Sequence, residues 1–371
     1  MKKSTLIIGL LILFGHRSMA QDSVRNIYQR AGIDLSKAIG AGEVSSEDGI
    51  YFFTAAGQHI PLSVLMKTDS LDINTTEEEV IFPQLKYTLH LKYLNISGAN
   101  RKYGGAITHL RPLMLLKELT WLDISDNEIK DLTPLQGLTQ LQYLDARQNQ
   151  LRSLAGIERL SRLQVLLLGY GAASLPIKDL LPLKGKTALR VLALPGCSIT
   201  DITTVLALKK LQRLDLSNNK IAGPVVLTGF MDLQELDLTH NRITRLEIPL
   251  MPSLKNLRVG DNLLTTLPSL SVFPVLENLS ATFNSITRIS CTTPLAHLTT
   301  IYLKGNKLQE LSFIRYLPAL REVDVCNNRI KDLRPLLLVA PAKMAVSGNP
   351  IDSTLLDDTE KKRLLRTAAD H

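Results

Sequence analysis

Residues able to do chemistry are present in this chain but scattered. Of the seven histidines, His16 falls close to the start and His371 at the end, while His240 and His297 sit in otherwise regular stretches. Cys197, Cys291 and Cys326 are spread over 130 residues. An odd, dispersed set without metal-ligand spacing is no disulfide framework and predicts lone thiols. No G-x-S-x-G, H-E-x-x-H, Walker A or paired-cysteine signature occurs. The sequence therefore predicts no catalytic residue, no cofactor and no metal. A column of aspartates (Asp123, Asp145, Asp215, Asp237, Asp324) is interrupted by Leu167, Ala193, Arg258 and Ser280, and reads as a solvated row. Asn74, Asn95 and Asn278 stand in N-x-S/T sequons, which matter only in a host that glycosylates. The chemistry that remains is binding.

A repeat supplies the elements that position binding residues. One unit reads L-x-x-L-x-L-x-x-N-x-I/L, as in Leu119-Leu122-Ile124-Asn127-Ile129 and Leu211-Leu214-Leu216-Asn219-Ile221. Units open at Leu91, Leu119, Leu141, Leu163, Leu189, Leu211, Leu233, Leu254, Leu276, Leu298 and Leu320, mostly 22 residues apart. Self-similarity at such a period is the signature of a solenoid. Alternation in Leu122-x-Ile124 predicts a short strand with both side chains inward and Asp123 outward. The Asn that follows (Asn127, Asn149, Asn219, Asn241, Asn262) predicts a turn whose stacked amides satisfy backbone groups. Cys197 takes the same slot. In the return half, Leu132-Leu135-Leu138-Leu141, Ile202-Val205-Leu208-Leu211 and Leu311-Ile314-Leu317-Leu320 step by three, which predicts 3₁₀-like segments.

These residues resemble the bacterial leucine-rich-repeat class typified by internalins, over about residues 91–350. The stretch Ile129 to Leu135, echoed at Ile177–Leu183 and Ile330–Leu336, carries the likeness. The resemblance implies an α/β repeat solenoid, a right-handed superhelix with a parallel concave sheet and short 3₁₀-like convex segments. It further implies a protein-recognition role without a specified partner. The internalin cell-wall sorting motif is not found at the C terminus.

The organisation expected is a signal peptide over 1–20, an N-terminal cap region over 21–90, a solenoid of about 12 units over 91–350 and a C-terminal helical cap over 351–371. The signal reading rests on Lys2 and Lys3, the apolar run Leu6–Phe14 and the small-residue site Ser18-Met19-Ala20. The run is too short for a membrane span, which needs about 20 apolar residues. Cleavage before Gln21 leaves 40 basic against 35 acidic residues, so the net charge falls from +8 to +5. That charge is dispersed, without the basic stripe and interleaved aromatics of a nucleic-acid binder. Residues 22–90 are too few for most enzymes and hold a faint repeat at Leu71 and Ile73. A short helix is expected over Leu355–Thr367, after Ser353 or Thr354.

Two units are longer than the rest. From Leu168 the next inward residue, Ile177, comes nine positions on rather than five; from Ile96, Ile107 comes eleven on. The extra residues fall just after the strand on one edge and carry Tyr170 in one case and Arg101, Lys102 and Tyr103 in the other. Trp121, the only tryptophan, occupies an outward strand position beside Tyr143, Val165, Leu167 and Val191. Tryptophan, tyrosine and contiguous apolar surface mark contact sites. The candidate binding residues are therefore Trp121, Tyr143, Val165, Leu167, Tyr170, Tyr103 and Val191. The function expected is a secreted, cell-surface or periplasmic module, of adhesin or effector type, that binds another protein through the concave face. Alternatives are a structural or regulatory subunit of a cell-envelope complex, or an intracellular phosphatase-regulator-like solenoid if residues 1–20 are no signal.

Overall fold

The computed structural model describes residues 51–53, 59–61, 69–72, 85, 88–98, 107–169 and 175–361. The expected signal segment 1–20, most of the expected cap region 21–90, Tyr103 and Tyr170 lie outside the described residues, as do 362–371. The chain divides into two units, 1–65 and 66–371. In the first, Tyr51–Phe53 and His59–Pro61 pair antiparallel, with Phe52 opposite Ile60. The solenoid belongs to the second.

Each repeat contributes one three-residue strand at its third to fifth positions, and 13 of these form a single parallel sheet in chain order. The sheet runs from Ser70–Asp72 to Lys343–Ala345, so it takes in one strand before Leu91, with Leu71 opposite Leu94. Register is uniform: Trp121 lies opposite Tyr143, Leu122 opposite Leu144 and Asp123 opposite Asp145. Equal positions therefore stack, and the fourth and sixth positions build the core. Leu94, Leu122, Ile124, Leu144, Leu166 and Leu192 are all fully buried. Each such leucine contributes about 1.5–3 kcal/mol on leaving water, but only once neighbouring units cover both of its sides.

The asparagine ladder forms as the repeat predicts. Asn149 donates through Nδ2 to Ile124 O at 2.8 Å, Ala146 O at 3.2 Å and Arg147 O at 3.1 Å. Its Oδ1 accepts from Ile129 N, one unit back, at 3.0 Å. Asn219, Asn241, Asn262, Asn306 and Asn328 repeat the arrangement. At Cys197 the thiol cannot do the same work, and Asn219 Oδ1 instead accepts from both Cys197 N and Ile199 N. The residue before each ladder asparagine takes left-handed backbone, which suits Asp126, Asn218, Asp261, Asn327 and Gly305. Phe283, with φ of 50°, does so without a short polar side chain to ease it.

The 3₁₀ segments appear where the period of three places them, at Thr133–Gly137, Val205–Ala207 and Ser312–Tyr316. Two units return in extended conformation instead. Ala222–Val226 and Arg242–Glu247 are extended and pair as a separate parallel two-stranded sheet. Another return segment, Arg334–Val339, is α-helical and ends at Ala340 in left-handed conformation. Beyond the last strand, Asp352 caps a 3₁₀ turn at Ser353–Leu355 by accepting from Thr354 N. Residues 358–361 are helical. Asp357 accepts from Thr359 N and Glu360 N, and Glu360 returns the bond to Asp357 N. This capping box starts the helix later than Ser353 or Thr354 would.

Candidate protein-binding face

The third and fifth positions of the strands form the solvent side of the sheet. In its N-terminal part the third positions read Tyr93, Trp121, Tyr143, Val165 and Val191, and the fifth Asn95, Asp123, Asp145, Leu167 and Ala193. In-register parallel strands lie about 4.8 Å apart, which is close to ring-stacking distance, so three consecutive aromatics at one position must stack. Tyr93 and Trp121 have ring centroids 4.0 Å apart at 13°, and Trp121 and Tyr143 4.7 Å apart at 8°. Each stacked pair contributes about 0.5–1.5 kcal/mol beyond the area it buries.

Of the residues expected to bind, Trp121, Tyr143, Val165 and Leu167 come together here and are half-buried. Val191 sits in the same row but is only 4% exposed, so it offers a partner little surface. Tyr103 and Tyr170 lie outside the described residues. Tyr93 is the member of the row that sequence reading missed. The signal was available, because Tyr93 is the third residue of the unit opened by Leu91.

The aspartate column is not a solvated row throughout, since Asp145 and Asp215 are buried. Its members close the strand ends by accepting from a backbone N–H two residues on: Asp123 from Ser125, Asp145 from Arg147, Asp215 from Ser217, Asp237 from Thr239 and Asp324 from Cys326. Asp145 is also gripped by the Arg147 guanidinium, with Nε at 2.9 and 3.0 Å and Nη2 at 2.5 Å. Among the described residues Asp123 has no guanidinium bonded to it in this way. Burial first, and then the Asp145 charge, push its carboxyl up to about 6. Burial and the same two acids raise the Tyr143 hydroxyl far above its ordinary value, so it stays protonated.

Further along, the face turns polar and pairs its own side chains: Arg213 with Glu235 at 3.6 Å, Arg258 with Asp237 at 4.0 Å and His240 with Asp261 at 3.7 Å. Asn278 donates to Asn256 at 2.8 Å, and the Tyr302 hydroxyl to Glu322 at 2.9 Å. Cys197, Cys291 and Cys326 are free and buried. Among the described residues no three His, Cys, Asp or Glu side chains group as metal ligands, and no helix is long and apolar enough to cross a membrane.

This is the architecture of a leucine-rich-repeat protein. Residues 117–159 and 296–338 match the family model "Leucine Rich repeats (2 copies)", and 210–230 and 232–254 the single "Leucine Rich Repeat". Osteomodulin of Rattus norvegicus is 28% identical over 157 residues, covering 41% of this chain. The match spans only a third (33%) of osteomodulin's own length. Among solved structures, an internalin of Listeria monocytogenes, InlF, superposes with a TM-score of 0.69 at 23% identity, covering 86% of this chain and 90% of that one. The functional domain of InlJ, from the same organism, gives 0.60 at 20% identity, covering 83% and 69%. At these identities the likeness is one of fold. The chain folds as a leucine-rich-repeat solenoid, similar in architecture to these internalins.

Proposed function

We propose that this chain is a secreted or surface-exposed protein-binding module, of adhesin or effector type, that seats its partner on the sheet face around Tyr93, Trp121 and Tyr143. The observation that carries the reading is the aromatic row itself. Three rings at one repeat position, continued by Val165 and Leu167, make a half-buried apolar strip on a face whose other half is polar and internally paired. Tryptophan and tyrosine are enriched at the centres of interfaces, and internalin-like solenoids are protein-binding modules. Tyr103 and Tyr170, on the two insertions, are proposed to rim the site, and residues 1–20 to direct export. No catalytic role is proposed.

Affinity capture with the full chain tests the reading. A variant carrying Trp121→Ala, Tyr143→Ala and Tyr170→Ala is expected to lose the captured partner while keeping a cooperative unfolding transition. Equal capture by the variant would remove the sheet face from consideration.

A further inference from the structure

The stacking that builds the aromatic row also limits what it can bind. Both faces of Trp121 are covered, by Tyr93 at 4.0 Å and Tyr143 at 4.7 Å. A sugar ring or a quaternary ammonium needs an open aromatic face, and the indole has none to give. What it presents to a partner is ring edge and apolar rim. Two residues further along the same strand, on the same side of the sheet and about 7 Å away, stands Asp123.

Among the described residues, Asp123 has an acid beside it, and the cation that acts on it, Arg147, is bonded to that acid. The preceding strand brings Tyr93 and Asn95, its own strand Trp121, and the following strand Tyr143 and Asp145, with Arg147 beyond. Arg147 is committed to Asp145 through both Nε and Nη2. Asp123 accepts from Ser125 N at 2.8 Å, and no cation lies within ion-pair distance of it among the described residues. The acids of the polar half differ, since Glu235 and Asp237 each have an arginine.

We infer that the partner of this face presents a lysine or arginine side chain to Asp123, with its aliphatic stem lying along the edges of Trp121 and Tyr143; the inference rests on the sheet-face reading above. Lysine and arginine carry the required combination, an apolar stem and a charged tip. Placing the tip on Asp123 supplies a direct counter-charge, which no described residue gives it. An acid whose carboxyl is held at about 6 by burial and a like charge is costly to keep ionised. The incoming cation offsets that cost.

A random dodecapeptide phage library selected on the full chain provides the test, with affinities for the leading peptide read from Trp121 fluorescence. Enriched peptides are expected to carry a basic residue beside an aliphatic or aromatic one. Asp123→Asn, and separately replacement of the peptide's basic residue by Gln, should each weaken binding roughly 30-fold, with no further loss when combined. Affinity for the native chain should fall roughly tenfold from pH 7 to pH 5, and the Asp123→Asn variant should not follow. Peptides without a basic residue, unchanged binding by Asp123→Asn, or a selection that enriches nothing would each overturn the inference. Dependence on Tyr93 and Tyr143 with indifference to Asp123 would overturn the cation alone. Indifference to the rings as well would overturn the sheet-face reading.

Discussion

Trp121 and Tyr143 face each other across adjacent parallel strands with ring planes within 8° and centroids 4.7 Å apart. The sheet imposes this spacing, so the indole is clamped between two phenols and its loss breaks two stacks at once. Trp121→Ala is expected to destabilise the fold by about 1–3 kcal/mol, and Trp121→Phe by clearly less, in urea unfolding followed by circular dichroism. A loss for Phe equal to that for Ala would show that the stacks contribute nothing. Because Trp121 is the only tryptophan, Tyr93→Ala should also red-shift the protein's entire tryptophan emission.

Asp123 gives stability a defined pH dependence. Its carboxyl is raised from 3.8 to about 6 by burial and by Asp145. The folded chain therefore holds this proton more tightly than the unfolded chain between those values. Stability from this group is greatest below about pH 4, falls as pH rises to about 6, and is level above. Asp123→Asn removes the charge yet keeps an oxygen for Ser125 N. It should raise stability at pH 7.5 by about 1–3 kcal/mol relative to the native chain, with the advantage vanishing near pH 4. Parallel urea curves at both pH values decide it.

Much of this was readable in the sequence because the period fixes the position of each residue. Asn149 and Asn241 had to fall in the ladder, and Leu311-Ile314-Leu317 had to give a tight return. The two extended returns carried a signal too, since Val225-Leu227 and Leu246-Ile248 step by two where other units step by three. Register was harder. That Tyr93, Trp121 and Tyr143 stack follows only once their strands are known to pair without a shift. The burial of Asp145 was also hidden, because alternation says which way a side chain points but not what covers it. The grip of Arg147 on Asp145 depends on the turn that follows the strand.

The ladder predicts a strong local sensitivity at Asn241. Its Nδ2 donates to Leu216 O and Leu238 O, each at 3.0 Å, and its Oδ1 accepts from Ile221 N at 3.0 Å. Alanine leaves these buried backbone groups without partners, at about 1–3 kcal/mol for each one orphaned. Asn241→Ala is expected to lower stability by about 2–4 kcal/mol, and Asn241→Asp by a comparable amount because the donor is gone. Hydrogen exchange should speed up first at Ile221 N. Unchanged exchange there would mean that water replaces the amide.

Lys186 offers the opposite case, a residue whose removal should help. It occupies the core slot held by Leu138, Leu160 and Leu208 in other units and is only 1% exposed. Its Nζ donates to Glu158 O at 3.1 Å and to Leu160 O at 3.4 Å, and burial lowers its pKa from 10.5. The folded chain thus holds this proton less tightly than the unfolded chain, and the penalty is full at neutral pH and fades as pH rises toward 10.5. Methionine keeps the unbranched length without the charge. Lys186→Met should raise stability at pH 7 by about 1 kcal/mol, since apolar replacement of buried charge is often stabilising. The gain should shrink by pH 10. Lys186→Ala should instead destabilise by leaving a cavity. A loss of stability in the methionine variant at pH 7 would show that the two carbonyls at Glu158 and Leu160 need the ammonium more than the core needs an apolar side chain.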